Sequence, residues 1–209
     1  MLTKIAFPFM EENMKVKLDR VEYKENSKNL RLYNEGGAAG CIYKDESRNK
    51  AVKIVHSDLL LNKILLLSNY DELQKYNVVV PEEEVYIEGN PSGYTMEFIE
   101  GMNLIDIWME VAENNHDLSH YFEQYINNLS IHRSFMEIYL EALQNVEKIS
   151  ERSIYMSDMN MSNIMFDLKK ERLTFIDVDW WEKGESLGFN KSLIKKMNLG
   201  NFKRIMRVE

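Results

Sequence analysis

The sequence predicts an α+β fold in which a strand-rich first half leads into a mainly helical second half. Short strand-type runs of apolar residues dominate as far as Ile99, and from Asn103 to Ser150 apolar residues recur at helical spacing instead. No repeat, low-complexity tract or obvious linker divides the 209 residues. That length predicts between one and two domains, with enough chain to bury a core.

Lys15 to Tyr23 and Asn29 to Tyr33 open the chain with strand-type runs, carried by Val16, Leu18, Val21, Tyr23, Leu30 and Leu32. The cluster Gly36-Gly37-Ala38-Ala39-Gly40 follows. After it, Cys41-Ile42-Tyr43, a polar turn from Lys44 to Lys50 and Ala51-Val52-Lys53-Ile54-Val55 read as strand, turn, strand. Ser57 or Asp58 is expected to cap a helix running to about Tyr76, with Leu61, Ile64, Leu65 and Leu67 as its apolar stripe. Val78 to Pro81, Glu84 to Glu88 and Tyr94 to Ile99 resume strand character, with Asn90-Pro91 and Gly93 as the expected turn between the last two.

Leu104, Ile107, Trp108 and Val111 then share a helical face, as do Phe135, Ile138, Tyr139, Leu143, Val146 and Ile149 in a longer helix. Asn163 to Phe166 and Leu173 to Ile176 return to extended structure around the polar turn Asp167 to Arg172. A final helix is expected over roughly Asn190 to Met197, ahead of a basic tail with Lys203, Arg204 and Arg207.

Composition narrows the functional classes. Lys and Arg number 26 against 34 Asp and Glu, a formal charge of −8, which argues against a broad footprint on nucleic acid. A hydrophobic content of 44% with 29% charged residues suits a soluble globular chain. The one cysteine, Cys41, excludes a disulfide framework and a Cys-cluster metal site. Met1 to Met10 is broken by Lys4 and Pro8, and no apolar stretch reaches spanning length. No membrane span and a cytoplasmic location are therefore expected. His116 and His120 stand at i, i+4 in a polar segment, which is a poor setting for zinc.

Three features carry chemistry. The glycine cluster lies between two strands, so it is neither a dinucleotide-fold loop nor a Walker-type loop. Glycines at a hairpin tip let the backbone approach a ligand and offer N–H groups to phosphate oxygens, although a merely flexible hairpin reads the same way. Lys53 sits in mid-strand between apolar neighbours, where a buried ammonium needs an anionic partner unless it faces solvent. The third feature is the most specific. Ser157-Asp158-Met159-Asn160-Met161-Ser162-Asn163 has Asp-x-x-x-x-Asn after a long helix, and the following strand pair ends at Asp177. A hairpin there gathers Asp158, Asn163 and Asp177 as a base, an amide ligand and a carboxylate ligand, the set that phosphoryl transfer with Mg²⁺ requires. Polar residues favour turns in any case, which is the plain alternative.

The order and spacing of these features resemble the protein-kinase-like superfamily. Glu35 to Ile42 is similar to its G-x-G-x-x-G-x-V loop, with Glu35 in place of the first glycine. Ala51-Val52-Lys53 resembles the A-x-K of its third strand, and Met96 to Gly101 the hinge between lobes. Tyr155 to Asn163 resembles the catalytic loop, and Ile176-Asp177-Val178-Asp179 the metal-binding segment. The resemblance implies a bilobal fold over residues 1–209 as a single domain, with an antiparallel-sheet N-lobe of about 10–99 holding one main helix. It places the hinge at about 97–101 and a shortened, mainly helical C-lobe at about 102–209.

The family's roles follow residue by residue. Lys53 would contact the α- and β-phosphates of ATP and pair with Glu72, with Asp71 as the competing partner. Gly36, Gly37, Gly40, Ile42, Ala51, Met96, Glu97, Phe98 and Ile99 would surround the nucleotide, with Met96 as gatekeeper. Asp158 would orient the acceptor hydroxyl and take its proton. Asn163 and Asp177 would hold Mg²⁺, or Mn²⁺ in its place, with Asp179 as a further ligand or a surface acid.

Departures from the family pattern are specific. Met156 and Ser157 stand where His and Arg usually precede the catalytic Asp, which makes activation-loop phosphorylation an unexpected switch. Val178 and Asp179 replace Phe and Gly, and no A-P-E anchor occurs between Val178 and Glu209. That shortened end resembles the minimal Ser/Thr kinases among injected bacterial effectors. It implies a protein substrate, delivery into a host cytoplasm, and activation by ubiquitin or a ubiquitin-loaded conjugating enzyme. A small-molecule kinase of the aminoglycoside or choline type and a pseudokinase binding module are the alternatives.

Overall fold

A computed structural model describes residues 19–23, 28–37, 40–56, 71–113, 118–129 and 131–206. Strands β1 (Asp19–Tyr23), β2 (Leu30–Gly37), β3 (Gly40–Asp45), β4 (Lys50–Val55), β5 (Glu83–Ile87) and β6 (Asn90–Glu97) form one sheet in the order β1-β5-β6-β4-β3-β2. Every pairing is antiparallel except β1 with β5. The period-2 rule then sorts β4: Ala51, Lys53 and Val55 face one side, and Val52 and Ile54 the other. On the latter side Val52 and Val85 pack with Tyr23, and Val21, Leu30 and Ile87 border them.

The rest of the chain is mixed. Strands β7 (Gly101–Asn103), β9 (Ile164–Asp167) and β10 (Arg172–Phe175) form a small antiparallel sheet, and β8 (Ile154–Tyr155) pairs with β11 (Glu182–Lys183). Among the described residues there are four α-helices, α1 (Leu104–Glu113), α2 (Leu118–Asn128), α3 (Phe135–Glu151) and α4 (Lys191–Met206). None is long and apolar enough to cross a membrane. Helix α3 starts at a capping box: Ser134 Oγ accepts from Glu137 N at 3.3 Å, and Glu137 Oε2 accepts from Ser134 N at 2.8 Å. It buries Phe135, Ile138, Tyr139, Val146 and Ile149 as the periodicity predicts, in the main core that also holds Phe122, Phe166, Phe175 and Phe202.

Several expectations are corrected. Asp71–Tyr76 is a 3₁₀ turn, and the rest of the helix expected before it, with its stripe from Leu61 to Leu67, lies outside the described residues. Val78 makes only an isolated bridge to Phe175, because Val79 N donates to Phe175 O at 2.9 Å instead of entering the large sheet. The turn between β5 and β6 is Glu88–Gly89, both with positive φ (49° and 81°), and Asn90–Gly93 is already strand. Helix α4 runs through Lys203 and Arg204 of the expected basic tail, since Ile194, Asn198, Phe202, Ile205 and Met206 recur on one buried face, and Arg207 lies outside the described residues.

The turn between β3 and β4 hangs on Asp45, which is 1% exposed. Its carboxylate accepts from Tyr23 Oη at 2.6 Å, Ser47 N at 2.9 Å, Ser47 Oγ at 2.6 Å and Arg48 N at 3.2 Å. Burial pushes this carboxyl up, but the bonds from Ser47, Tyr23 and Arg48 outweigh it and hold the group below the usual value. Because the folded pKa is depressed, the stabilisation is present above the unfolded carboxylate range near pH 4 and is lost as pH falls through the folded value. Asp45→Ala is expected to cost about 2–3 kcal/mol at neutral pH and much less in strong acid, read by urea unfolding across pH.

Candidate active site

Sheet register places the first group of site residues. Cross-strand partners share a face, and Lys53 lies opposite Ile42 on β3 and Tyr94 on β6, while Ala51 lies opposite Met96. Buried Ala51, Tyr94, Met96, Ile99, Val79 and Met165, with the partly buried Ile42, Phe98 and Ile176 against them, form one apolar cluster between the large sheet and the β9–β10 hairpin. The structure thus brings together Ile42, Ala51, Met96, Phe98 and Ile99, and it adds Met165 and Ile176. Glu97 instead turns its exposed carboxylate to Lys170.

Gly36 and Gly37 end β2, and Gly37 pairs with Gly40 across a hairpin whose tip, 38–39, lies outside the described residues. Gly40 is required by its own sheet, because a Cβ there would stand 2.1 Å from the carbonyl oxygen of Ile54. Gly93 answers to the same constraint from β6, where a Cβ would meet Lys53 O at 1.9 Å.

Lys53 is 2% exposed and its ammonium donates to Asp177 Oδ1 at 2.6 Å and to Asp179 Oδ2 at 2.5 Å. Tyr94, buried at 1% exposure, donates its hydroxyl to Asp179 Oδ1 at 2.7 Å. Both oxygens of Asp179 are therefore engaged, and the surface-acid reading of that residue is wrong, since it has no exposed area. Burial raises the Asp179 carboxyl to about 6 and neighbouring Asp177 adds to the shift, while Lys53 opposes it. Burial next to these carboxylates likewise pushes the Tyr94 phenol well up.

The expected Lys53–Glu72 pair does not form. Glu72, half-exposed on the 3₁₀ turn, pairs with Arg152 and lies 3.9 Å from Lys75, so its charge is compensated at the C-terminal end of α3.

Asp177 reaches Lys53 because the backbone turns there. Its φ of 57° is left-handed, an uncommon conformation for a residue with a Cβ, and a 3₁₀ turn, Val178–Trp180, follows at once. That turn brings Asp179 round to the same ammonium. Ser157 Oγ donates to the carbonyl of Trp180, and β8 pairs with β11, so the 156–163 segment and the 177–181 segment are clamped together.

Within the first segment, Asn160 caps the 3₁₀ turn Met161–Asn163 and donates to Asp158 Oδ1 at 2.9 Å. Asn163 Nδ2 donates to Asp158 Oδ2 at 3.0 Å and to Asp158 O at 2.9 Å. The Asn163 carbonyl accepts from Ile176 N at 2.9 Å, which fixes Asp158 and Asn163 next to the strand that delivers Asp177.

The segment is anchored from below by a residue the sequence did not flag. Asn198 on α4 has no exposed area, accepts from Met156 N at 3.1 Å, and donates to Ile154 O at 2.9 Å and Ser150 Oγ at 3.0 Å. Asn198→Leu leaves these groups buried and unpaired. It is expected to destabilise the fold by about 2–4 kcal/mol, measured by chemical denaturation. An asparagine among Lys and Leu on a helix carries no local signal for such a role.

Among the described residues no group of three or more His, Cys, Asp and Glu gathers as a metal cage. Asn163 points its amide nitrogen at Asp158 while its Oδ1 accepts from Ser162 Oγ at 3.5 Å, and Asp177 meets Lys53 through Oδ1, so the two residues offer hard oxygen donors only. Such a donor set suits Mg²⁺ when substrate oxygens and water complete the shell. No family model and no curated protein matches this chain.

Proposed function

We propose that the chain is an ATP- and Mg²⁺-dependent phosphotransferase of two-lobed, protein-kinase-like architecture that transfers the γ-phosphoryl group to Ser or Thr hydroxyls of a protein. The observation that carries this reading is the junction of Lys53 from the sheet with Asp177 behind the β9–β10 hairpin, next to Asp158 and Asn163. The apolar cluster of Ile42, Ala51, Met96, Phe98 and Ile99 supplies a surface for a flat base. Lys53 and the backbone of Gly36, Gly37 and Gly40 face the phosphates.

Asn163 and Asp177 would hold Mg²⁺, whose charge offsets that of the phosphate oxygens. Asp158, with both oxygens fixed by amide donors, orients the acceptor hydroxyl and takes its proton. Positioning and charge supply most of such catalysis. A cytoplasm, the chain's own or a host's, supplies the Mg²⁺·ATP this needs, and activation by a ubiquitin-type partner rests on the family resemblance alone.

Isothermal titration with ATP, with and without Mg²⁺, tests the reading. Wild type should bind ATP more tightly with Mg²⁺, and Asp177→Ala should lose that enhancement. Absence of ATP binding by wild type contradicts the reading.

A further inference from the structure

We propose that Asp179, held in place by Tyr94, is the fixed anchor of Lys53, and that Asp177 is the exchangeable partner which the lysine releases when nucleotide binds. The nucleotide half of this proposal rests on the phosphotransferase reading. The anchor itself rests on the geometry of the described residues.

One ammonium lies between two carboxylates, so the group carries one surplus negative charge. The two carboxylates are not equivalent. Asp179 has no exposed area, and its oxygens are taken by Lys53 and by the Tyr94 hydroxyl. Turning it away would bury an unpaired charge and strand a buried phenol. Asp177 is 26% exposed, engages Lys53 through Oδ1, and stands at the strained backbone position beside Asn163. It is the one that can trade an ammonium for another cation at little desolvation cost.

The register makes the anchor a property of the sheet. Tyr94 is the direct cross-strand partner of Lys53, and both side chains converge on Asp179 from adjacent strands. Glu72 is committed to Arg152 and takes no part. Asp179 and Tyr94 are thus positioning residues: they fix the direction of the Lys53 ammonium without touching substrate, and they leave Asp177 free to serve the metal.

The test reads Lys53 itself. In protein labelled with ¹⁵N-lysine, the buried Lys53 ammonium should give a protected NMR signal, identified by its loss in Lys53→Met. Asp179→Asn should speed its hydrogen exchange about tenfold or more, the equivalent of one lost charge-assisted hydrogen bond. Tyr94→Phe, which keeps the packing and the charge, should speed it by a smaller factor. Glu72→Gln should leave it unchanged, and Asp177→Asn should leave it largely protected. Protection that survives Asp179→Asn and Tyr94→Phe, or that disappears in Glu72→Gln or Asp177→Asn, overturns the anchor. If Asp179→Asn does not fold, Tyr94→Phe decides alone. Mg²⁺·ATP should then shift the wild-type signal while its protection by Asp179 persists. A wild-type signal indifferent to Mg²⁺·ATP, in protein that binds ATP by titration, overturns the nucleotide half alone; wild type that binds no ATP overturns the phosphotransferase reading as well, and the nucleotide-free comparison judges the anchor in either case.

Discussion

Asp158→Asn is expected to lower phosphoryl transfer by about 10²–10⁴-fold while leaving Mg²⁺·ATP affinity within about twofold of wild type. The two halves of this expectation have separate structural sources. Asp158 lies outside the Lys53 network, bonded to Asn160 and Asn163, so its loss does not touch the groups assigned to the phosphates. The substitution keeps the size of the side chain but replaces an acceptor oxygen with an N–H₂ group. That group faces the amide donors of Asn160 or Asn163 and cannot take a proton from an acceptor hydroxyl. A coupled ADP-release assay gives kcat, and titration gives the dissociation constant. A matching loss in both would mean that Asp158 holds nucleotide and does not serve as a base.

Lys53→Met should have the largest effect on the folded state itself. It removes the one ammonium that Asp177 and fully buried Asp179 share, leaving Tyr94 Oη as the described donor to Asp179. Breaking a buried pair from one side typically costs about 3–5 kcal/mol, because the remaining charge has lost its compensation. Destabilisation in that range, measured by urea unfolding, is expected together with loss of phosphate-dependent affinity, so that ATP binds no better than adenosine. Adding Asp179→Asn to Lys53→Met should recover part of the stability but none of the ATP affinity. Stability restored without affinity would separate the lysine's role in folding from its role toward phosphate.

The main elements were legible because their signals are local. Alternation marked β1 and β2, short runs on either side of a polar turn marked β3 and β4, and the stripe from Phe135 to Ile149 marked α3. Chemistry at fixed spacing marked Lys53, Asp158, Asn163 and Asp177, and the structure gathers these around the same junction. The misread parts depend on register or on distant partners. Asn90-Pro91 looks like a turn, yet the positive φ falls on Glu88 and Gly89. Gly93 looked like turn punctuation, but its missing Cβ is what lets β6 approach the Lys53 carbonyl. Glu72 lay at a plausible spacing for Lys53, but nothing nearby in sequence reveals that Arg152 claims it.

Tyr94 and Asp179 illustrate the same limit from the other side. Their meeting requires the β4–β6 register and the left-handed turn at Asp177, neither of which can be read from either segment alone. Helix α4 was underestimated because lysines interrupt its apolar face, which closes only with Phe202, Ile205 and Met206.

The central claim is tested most directly by following ³²P from [γ-³²P]ATP with Mg²⁺ into protein, using the purified chain alone and mixed with bacterial or eukaryotic cell extract. Labelling of Ser or Thr by wild type, abolished in Asp158→Asn and Asp177→Ala, is the expected result. Wild type that labels nothing in any of these mixtures, or labelling that persists undiminished in both variants, would contradict it.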